Sequence, residues 1–238
     1  MNRPYIICHM TMSIDGKVTG GFLSEESCAA ACEIYYDINR TRKSNGFICG
    51  RITMEGSFTG GYYPDLSEYE PVVHSCGIKT DFVPDGMTGY YAVAFDPKGK
   101  LGWKSGKIID PDGDPGYDGA QIIEVLTEQA DNRYLAYLES MSIPYLFAGK
   151  TEIDVELALS KLKNEAGCEV LLLEGGSIIN GYFQRADVID ELSLVVAPVT
   201  GEKNDKPLFD DGIVSGYELI KTENICGNVI LNYKKAKK

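Results

Sequence analysis

From residue 121 to residue 197 the chain alternates between apolar, strand-like runs and segments of helical character. The strand-like runs are QIIEVL, PYLFAG, EVLLLEGG and ELSLVVAP, and the helical segments NRYLAYLESMS, VELALSKLKNEAG and SIINGYFQRA lie between them. Parallel neighbours in a sheet require a crossover connection, which is usually a helix. The alternation therefore predicts an α/β fold with a largely parallel sheet and helices on both faces.

Capping residues predict where the helices begin and end. Asp131 precedes one helical segment, and Thr151 or Asp154 precedes the next. Side-chain oxygens at such positions accept hydrogen bonds from the first N–H groups of a helix. Gly167 suits the left-handed backbone that often ends a helix. Ser24 is the expected N-cap of an earlier helix.

Three shorter apolar runs predict further strands, and the end of the chain predicts a hairpin. The strands are expected at 5–10, 47–50 and 90–95. The tail YELIKTENICGNVILNYK indicates a closing antiparallel hairpin with its turn near Gly227. The predicted sheet is therefore mixed, with an antiparallel edge. Because no repeat or linker interrupts this pattern, we expect a single domain over 1–238.

Residues 59–89 do not fit the alternation of strands and helices. Gly, Pro, Tyr and Asp dominate this stretch, which contains one short strand candidate, PVVHS (71–75). Long irregular segments in compact domains are often functional loops. An insertion without a catalytic role would have the same composition, so both interpretations stay open.

The balance of charge excludes some functions. The chain carries 35 acidic and 23 basic residues, which gives a net charge of −12. A field of that sign repels nucleic-acid phosphates, so we expect no nucleic-acid partner and require any phosphate site to be built locally. No apolar stretch is long enough to span a bilayer, and the N-terminal run MNRPYIICHM lacks the features of a signal peptide. A cytoplasmic protein without a membrane partner is therefore expected.

Cysteine and histidine usage gives little support to a disulfide framework or a metal site. The cysteines are odd in number and form no C-x-x-C pair: Cys8, Cys28, Cys32, Cys49, Cys76, Cys168 and Cys226. Several lie in apolar runs, where a thiol packs as a small hydrophobe. His9 and His74 each stand alone in a strand-like run, which favours a satisfied core or edge residue. We expect no metal ion.

The segment LLLEGGSIINGYF (171–183) is the strongest candidate for a binding site. An apolar strand leads into Glu174, Gly175 and Gly176, and a helix begins at once. Glycine lets a ligand approach the backbone closely, and the helix start presents unpaired N–H groups to a phosphate. A pyrophosphate cradle and a plain strand-to-helix turn account equally well for these residues.

Two other segments follow apolar strands and carry polar side chains. In CGRITMEGSF (49–58), Gly50 is followed by Arg51, a good bidentate phosphate donor, and by Thr53. In MSIDGKV (12–18), Asp15 and Lys17 flank a flexible glycine. Ligands of α/β sheets bind at strand ends. Taken singly, the first segment could also be an ordinary helix start and the second a polar turn.

Together the three segments resemble a known family. CGRITMEGSF is similar to the Gly-Arg-x-Thr-x-Glu segment of dihydrofolate reductases, and EGGSIINGYF is similar to the Gly-Gly segment of the same fold. MSIDGKV resembles the Met-Ser-x-Asp-Gly-Lys signature of the reductase domain of bacterial riboflavin biosynthesis, and PLFD (207–210) fits that domain too. The resemblance covers about residues 4–58 and 168–234. It implies a dihydrofolate reductase-like α/β fold.

The resemblance also implies an NADPH-dependent reductase whose cofactor contacts come from three segments. The implied cofactor-binding residues are Thr11, Gly50, Arg51, Thr53, Gly175, Gly176 and Ser177. The Arg and Thr would contact the adenosine end of NADPH, including its 2′-phosphate. The Gly-Gly-Ser run would hold the pyrophosphate. Gly50 and Thr11 would border the nicotinamide or its ribose.

Three further residues are expected to serve the chemistry. In the riboflavin pathway, this domain reduces a phosphoribosylamino-pyrimidine and opens its ribose to a ribityl chain. Such a reaction needs a hydride donor held against an electrophilic carbon, together with a proton source. Asp15 would supply the proton or orient the substrate. Lys17 would bind substrate or steady Asp15, and Glu174 would face the substrate pocket.

The sequence also departs from the family pattern. Riboflavin-pathway reductases usually carry an Asp-Asn/Asp-Pro-x-Leu-Thr run and an Arg for the substrate's ribose phosphate, whereas this chain has EGSFTGGYYPDL (55–66). It also lacks the H-x-E and P-C-x-x-C motifs of the deaminase-like partner domain and the helix-borne carboxylate of dihydrofolate reductases. Three hypotheses follow: this pyrimidine reductase, a same-fold reductase of a pterin- or carbonyl-like substrate, or a nucleotide-binding protein without turnover. The family often forms dimers, so a homodimer is expected.

Overall fold

A computed structural model describes residues 2–87 and 89–236. Thr88, which falls in the irregular stretch predicted for 59–89, lies outside the described residues, as do the chain's first residue and its last two. The chain divides into two compact units. The first unit is Asn45–Glu169 with the N-terminal residues up to Pro4, and the second is Tyr5–Ser44 with the residues from Val170 onward. The single domain expected for 1–238 stays a prediction.

The strands and helices are numbered in chain order. The strands are β1 (Tyr5–Ser13), β2 (Gly46–Gly50), β3 (Tyr91–Phe95), β4 (Gln121–Leu126), β5 (Tyr145–Phe147), β6 (Val170–Leu173), β7 (Glu191–Ala197), β8 (Tyr217–Ile225) and β9 (Asn228–Lys235). The α-helices are α1 (Glu26–Thr41), α2 (Arg51–Met54), α3 (Asn132–Ser140), α4 (Val155–Ala166) and α5 (Ser177–Arg185). Apart from the strand candidate at 71–75, the predicted strand and helix positions are confirmed, with boundary shifts of a few residues.

The first unit contains the parallel strands β2 to β5. Their order is β5, β4, β3, β2, and each adjacent pair is parallel. Both β3 and β4 are apolar and buried almost throughout, which is the pattern of strands covered on both faces. The connection between β3 and β4 is a long loop, and α3 and α4 follow the last two strands.

The caps predicted for α3 and α4 are confirmed. Asp131 accepts a hydrogen bond from the Arg133 N–H, and Asp154 accepts one from the Leu157 N–H at 3.0 Å. Of the two caps proposed for α4, Asp154 is therefore the one used. Gly167 ends α4 in the left-handed conformation, with φ of +65°.

Two buried carboxyl groups fix the loop that follows β3. Asp96 accepts hydrogen bonds from the backbone N–H groups of Lys100 and Leu101. Glu124 on β4 accepts hydrogen bonds from the Trp103 indole N–H and from the Tyr134 hydroxyl. Burial raises the pKa of both carboxyl groups, and for Glu124 the nearby Asp96 raises it further. Trp103 is thereby held in one position beside β4.

The short strand predicted at PVVHS (71–75) is wrong. Most of this segment has no regular secondary structure, and a single 3₁₀ turn begins at Ser75. Val72 instead exchanges hydrogen bonds with Asn132: the Val72 N–H donates to the Asn132 carbonyl, and the Asn132 side chain donates to the Val72 carbonyl. The start of α3 therefore supplies the hydrogen-bond partners that a neighbouring strand would have supplied. The irregular character predicted for 59–89 is otherwise confirmed.

The second unit contains the strand order β6, β1, β7, β9, β8. β1 pairs in parallel with β6 on one side and with β7 on the other. β9 pairs antiparallel with both β7 and β8. The predicted hairpin is thus confirmed, and its turn consists of Cys226 and Gly227, which both have positive φ angles of 51° and 80°.

The prediction that Ser24 caps the first long helix is wrong. Gly21–Ser24 form a 3₁₀ turn in which Phe22 is buried, and the Glu25 N–H donates to the Phe22 carbonyl. The α-helix starts only after this turn, so Glu25 is the N-cap of α1, without a side-chain cap hydrogen bond. Burial of Phe22 against α1 and β7 residues outweighs the capping preference of serine.

His9 is a core residue of β1, as predicted. Its ring is fully buried and stacks on Tyr35, with ring centroids 4.4 Å apart. Nε2 lies 3.0 Å from the Tyr35 carbonyl and Nδ1 lies 3.1 Å from the Ser193 hydroxyl, so both ring nitrogens have partners. Burial lowers the pKa of His9 to about 4. The imidazole is therefore neutral at physiological pH.

The cysteines in apolar runs pack in the core as predicted. Cys8, Cys49 and Cys168 are all buried, and burial raises the pKa of the Cys168 thiol to about 12. All seven cysteines of the chain are free thiols. Within the described ranges, no helix combines the length and the hydropathy that a membrane crossing requires.

Candidate functional site

The carboxyl ends of β1 and β6 point to the same edge of the second unit, and β1 extends beyond the end of β6. The two strands pair in parallel, with Cys8 opposite Leu173. This register places the Glu174–Gly176 segment beside the second half of β1, and the Asp15 turn follows the end of β1. Two of the three segments predicted to form the site are therefore brought together. Ligands of α/β proteins bind at such carboxyl edges.

A side chain at Gly175 would disturb its neighbours. Its φ is +90°, which favours glycine, and a Cβ would lie 3.0 Å from Met10 Cε and 3.7 Å from Asn180 Nδ2. The peptide bond between Gly175 and Gly176 is cis. Gly176 is the N-cap of α5, and within the described chain no side chain caps this helix. The first N–H groups of α5 therefore lack a capping oxygen, which suits an anionic ligand.

Two buried oxygen atoms of this region have no hydrogen-bond partner among the described residues. They are Oγ1 of Thr11, which follows Met10 on β1, and Oδ1 of Asn180, in the first turn of α5. The other end of the Asn180 amide donates to the Leu208 carbonyl at 3.2 Å. Buried polar atoms nearly always have partners. Each of these oxygens can therefore accept a hydrogen bond from a polar ligand.

The Ser177 hydroxyl is engaged within the protein. It donates to the Pro207 carbonyl, and the Asp210 N–H donates to the Ser177 carbonyl at 3.1 Å. The segment PLFD, which was singled out in the sequence, is thus fixed against the start of α5. Ser177 is buried and its hydroxyl is already used within the protein. Its backbone N–H at the helix start is therefore the group suited to a phosphate contact.

Asp15 connects the end of β1 to a distant loop. Its Oδ1 accepts hydrogen bonds from the Ser13 hydroxyl at 2.6 Å and from the Gly201 N–H at 2.9 Å. The Ser13 hydrogen bond, followed by that of Gly201, holds the pKa of Asp15 below its usual range. The exposed carboxylate is therefore ionised at neutral pH, and Oδ2 takes part in neither contact.

The Lys17 side chain also binds the loop that contains Gly201, and its hydrogen bond goes to this loop and not to Asp15. Its ammonium group donates to the Asp205 carbonyl at 3.0 Å, and its backbone forms a β-bridge with Pro207. The Leu208 N–H also donates to the Gly16 carbonyl at 3.1 Å. Lys17 thus holds the 205–208 segment, which in turn contacts α5. The loop therefore connects the turn after β1 to the start of α5.

Glu174 is buried directly before the two glycines. Its Oε1 accepts a hydrogen bond of 2.7 Å from the Asn39 side chain on α1. Glu174 is 5% exposed and Asn39 is 3% exposed, so this contact is shielded from water. The Asn39 hydrogen bond fixes Glu174 and holds α1 close to the end of β6.

Gly50, Arg51 and Thr53 lie in the first unit. Gly50 ends β2 and is the N-cap of α2. Arg51 Nη1 donates to Glu55 one turn later, and the two side chains remain 35% and 37% exposed. Thr53 is partly buried on the same short helix. Because this segment and Gly175 belong to different units, their convergence on one cofactor stays a prediction.

Some of the residues that build this edge have no signal in the sequence. Asn39 is a polar residue in an amphipathic helix, where such residues usually face solvent. Gly201 contacts Asp15 from 186 positions away in the sequence. Ser13 lies within the MSIDGKV segment, and its hydroxyl donates to Asp15 and accepts from the Lys17 N–H. Across the described part of the chain, no three His, Cys, Asp or Glu side chains are grouped so as to hold a metal ion.

The fold is an α/β fold of the dihydrofolate reductase-like type. Residues 117–231 match the family described as the RibD C-terminal domain. The resemblance read from the sequence is therefore confirmed. Over that segment the chain is similar to RibD C-terminal domain proteins, and its fold is that of their dihydrofolate reductase-like relatives.

A curated relative supports the same assignment over most of the chain. The 2,5-diamino-6-ribosylamino-4(3H)-pyrimidinone 5′-phosphate reductase of Aquifex aeolicus is 24% identical over 225 residues. The match covers 93% of this chain and 88% of that relative.

Solved structures share the fold. RibD of Acinetobacter baumannii has a TM-score of 0.67 and 15% identity; the match covers 99% of this chain, which spans 59% of that RibD chain. The riboflavin biosynthesis reductase of Saccharomyces cerevisia has a TM-score of 0.63 and 14% identity, and the match covers 99% of this chain and 91% of that reductase. A dihydrofolate reductase of Enterococcus faecalis, complexed with NADP(H), has a TM-score of 0.50 and 12% identity, and the match covers 98% of this chain and 97% of that reductase. The predicted fold class is confirmed.

Replacing Asn39 tests the support given to Glu174. We expect Asn39→Ala to lower the free energy of unfolding by roughly 1–3 kcal/mol, because a buried carboxylate loses a hydrogen-bond donor. Urea unfolding measures this loss. Asn164→Ala, on the exposed side of α4, is the matched control and should change stability by about 0.5 kcal/mol or less. Equal effects of the two substitutions would show that the Asn39–Glu174 contact contributes nothing.

Proposed function

We propose that this chain is a reductase of the riboflavin-biosynthesis pyrimidine type, which uses NADPH to reduce a phosphoribosylamino-pyrimidine. The edge at the carboxyl ends of β1 and β6 carries this proposal, because the 205–208 loop contacts both the glycine-bearing helix start and the turn that follows β1. The reductase of Aquifex aeolicus, which matches 93% of the chain, supports the same chemistry. A pathway reductase of this kind needs a cofactor cradle and a substrate-orienting group within one site.

The residues at this edge fit a nicotinamide dinucleotide. Gly175 and Gly176 allow the pyrophosphate to approach the backbone, and the N–H groups at the start of α5 face its charge. The unpartnered Oγ1 of Thr11 and Oδ1 of Asn180 suit the amide or hydroxyl groups of such a ligand. When bound, NADPH supplies the hydride. The protein holds and orients the reactants around it.

Arg51 and Thr53 would bind the adenosine 2′-phosphate. A guanidinium group at the end of a strand is well suited to bidentate phosphate binding. Arg51 already donates to Glu55, so a phosphate would share Arg51 with that carboxylate or displace it. This competition predicts that the 2′-phosphate contact is salt-sensitive, since both side chains are partly exposed.

The state of Asp15 favours one of its two suggested roles. A carboxyl group with a lowered pKa is ionised and is therefore a poor proton donor at neutral pH. Asp15 is better suited to orient a substrate N–H or O–H group through its second oxygen. Lys17 would act indirectly, because its ammonium group holds the loop that borders the site. Glu174, fixed by Asn39, would present a rigid carboxylate to the substrate.

A second candidate is a reductase of the same fold with a pterin- or carbonyl-like substrate. The segment 55–66 contains no Arg for a ribose phosphate. Its first part, Glu55–Thr59, forms a π-helical turn that continues α2. This observation favours a substrate without the ribose phosphate.

The proposed assembly is a homodimer. β8 is the last strand in the order of the second unit, and most of its residues are exposed. Leu219, Ile220 and Ile225 are 53%, 58% and 42% exposed on this edge strand. An apolar edge strand that pairs with a second copy would be protected from aggregation.

Arg51→Ala tests the preference for NADPH. We expect NADPH affinity to fall about 10- to 100-fold, because a charge-assisted contact of about 1.5–3 kcal/mol is lost. NADH affinity should change little, since NADH lacks the 2′-phosphate. Fluorescence titration of both cofactors measures the two constants, with Arg133→Ala on the exposed face of α3 as control. Equal losses for NADPH and NADH would refute the phosphate role of Arg51.

Asp15→Asn separates a reductase from a nucleotide-binding protein. We expect the wild type to oxidise NADPH with a member of a panel of pyrimidine and pterin substrates, followed by the loss of NADPH absorbance. Asn keeps an oxygen that can accept from Ser13 and Gly201, so the turn and the NADPH affinity should be unchanged. Turnover should fall at least about tenfold, because the negative charge that orients the substrate is lost. Glu156→Gln, exposed on α4, serves as the control. Absence of NADPH oxidation by the wild type with every substrate would exclude the reductase proposal.

A further inference from the structure

A cleft of about 400 Å³ opens within the first unit, between the π-helical turn after α2 and the loop that leads toward β4. Its size is in the range of small-molecule sites. The residues that line it are Gly56, Ser57, Phe58, Thr59, Gly60, Trp103, Lys104, Ser105, Lys107, Ile108, Ile109 and Pro111.

The cleft lies at the amino ends of the strands. Phe58 is 6.1 Å from Phe47, the second residue of β2, measured between ring centroids. Lys107 forms a β-bridge with Gln121, the first residue of β4. Gly50, in contrast, is at the carboxyl end of β2, where the adenosine phosphate is proposed to bind. The helical segment after Gly50 runs back along the strand, so the cleft is separate from that position.

The charges around the cleft select for an anion. Lys104 and Lys107 line it, and no lining residue is acidic, although acidic residues outnumber basic ones in the chain by 35 to 23. Within the described chain, neither lysine forms an ion pair with a carboxylate. Lys104 lies over the Tyr62 ring, 5.4 Å from its centroid. Both lysines are exposed, and Asp110 lies between the lining residues Ile109 and Pro111, so this aspartate partly offsets the positive charge that the lysines give the cleft.

The remaining lining groups suit a planar ring with a polar substituent. Phe58, Ile108 and Pro111 offer apolar surface, and Trp103 is fixed by its hydrogen bond to Glu124. Thr59 is 6% exposed, and its Oγ1 has no hydrogen-bond partner in the described part of the chain. Such a combination of apolar walls and few polar groups is typical of ligand sites. π-helical turns like Glu55–Thr59 are also frequent at functional sites.

We propose that this cleft binds a small organic anion, namely a planar aromatic or heterocyclic ring that carries a phosphate or a carboxylate group. The ring packs against Phe58 and the apolar wall. The anionic group lies between Lys104 and Lys107, with Thr59 as a further hydrogen-bond partner. The site does not depend on the proposed reductase activity, because its lining contains none of the proposed catalytic or cofactor-binding residues. Gly56–Gly60 do belong to the 55–66 segment that replaces the family's ribose-phosphate run.

Trp103 is the only tryptophan of the chain, and its position in the lining makes it a natural reporter. Intrinsic fluorescence is titrated with phenyl phosphate, benzoate, inorganic phosphate and phenol, without NADPH. We expect a saturable change with phenyl phosphate, benzoate or both, and weaker binding of inorganic phosphate and of phenol. The comparison of phenyl phosphate with benzoate identifies which anionic group the site prefers.

The variant Lys104→Ala/Lys107→Ala should weaken binding at least about tenfold, since charge-assisted contacts are lost. Lys104→Arg/Lys107→Arg should retain much of the affinity, and Lys150→Ala, an exposed lysine outside the cleft, should retain all of it. Circular dichroism confirms that the variants are folded, and NADPH titration should give unchanged affinity. Three results would each overturn the proposal: no saturable change with either ring-bearing anion, equal binding by wild type and double alanine variant, or phenol binding as tightly as phenyl phosphate.

Discussion

The parallel pairing of β1 with β6 is the constraint on which the candidate site depends. Its register sets Cys8 opposite Leu173, so that the residues after β6 lie beside the second half of β1, before the chain reaches the Asp15 turn. A shift of one residue would turn every side chain of the strand to the opposite face. The 205–210 segment then contacts both the Lys17 turn and the start of α5, which ties the two strand ends together.

An acidic protein that binds an anionic cofactor must create positive potential locally. The net charge of −12 works against such binding at long range. In the second unit, the helix start after Gly176 provides N–H groups instead of charged side chains. In the first unit, Arg51 provides a cation, whose field Glu55 partly offsets. Buried Glu174 and His9 both have hydrogen-bond partners within the second unit.

Much of the fold could be predicted because apolar runs and capping residues act locally. Asp131, Asp154 and Gly167 cap their helices through contacts only a few residues away in the sequence. Ser24 failed as a cap because burial of Phe22 imposed a 3₁₀ turn ahead of the helix. PVVHS failed as a strand because Asn132, about 60 positions away, supplies its hydrogen bonds. Such choices are made by tertiary contacts, which sequence patterns do not contain.

Only part of the candidate site could be predicted, because some of its residues carry a local signal and others depend on tertiary contacts. Gly175 and Gly176 are visible in the sequence because glycine has a specific backbone use. The hydrogen bond from Asn39 to Glu174 and the hydrogen bond from Gly201 to Asp15 join residues more than 130 positions apart. The engagement of the Ser177 hydroxyl by Pro207 likewise depends on the loop that folds over α5. Sequence motifs thus located the segments, and the tertiary fold sets which contacts each side chain makes.

Hydrogen exchange with and without NADPH measures most directly whether two glycine-bearing strand ends bind one cofactor. Backbone N–H groups that contact phosphates exchange more slowly in the complex. If one cofactor bridges both segments, NADPH will slow exchange in peptides covering 49–58 and in peptides covering 171–183. Protection of one segment alone, or of neither at saturating NADPH, would contradict a shared cofactor site.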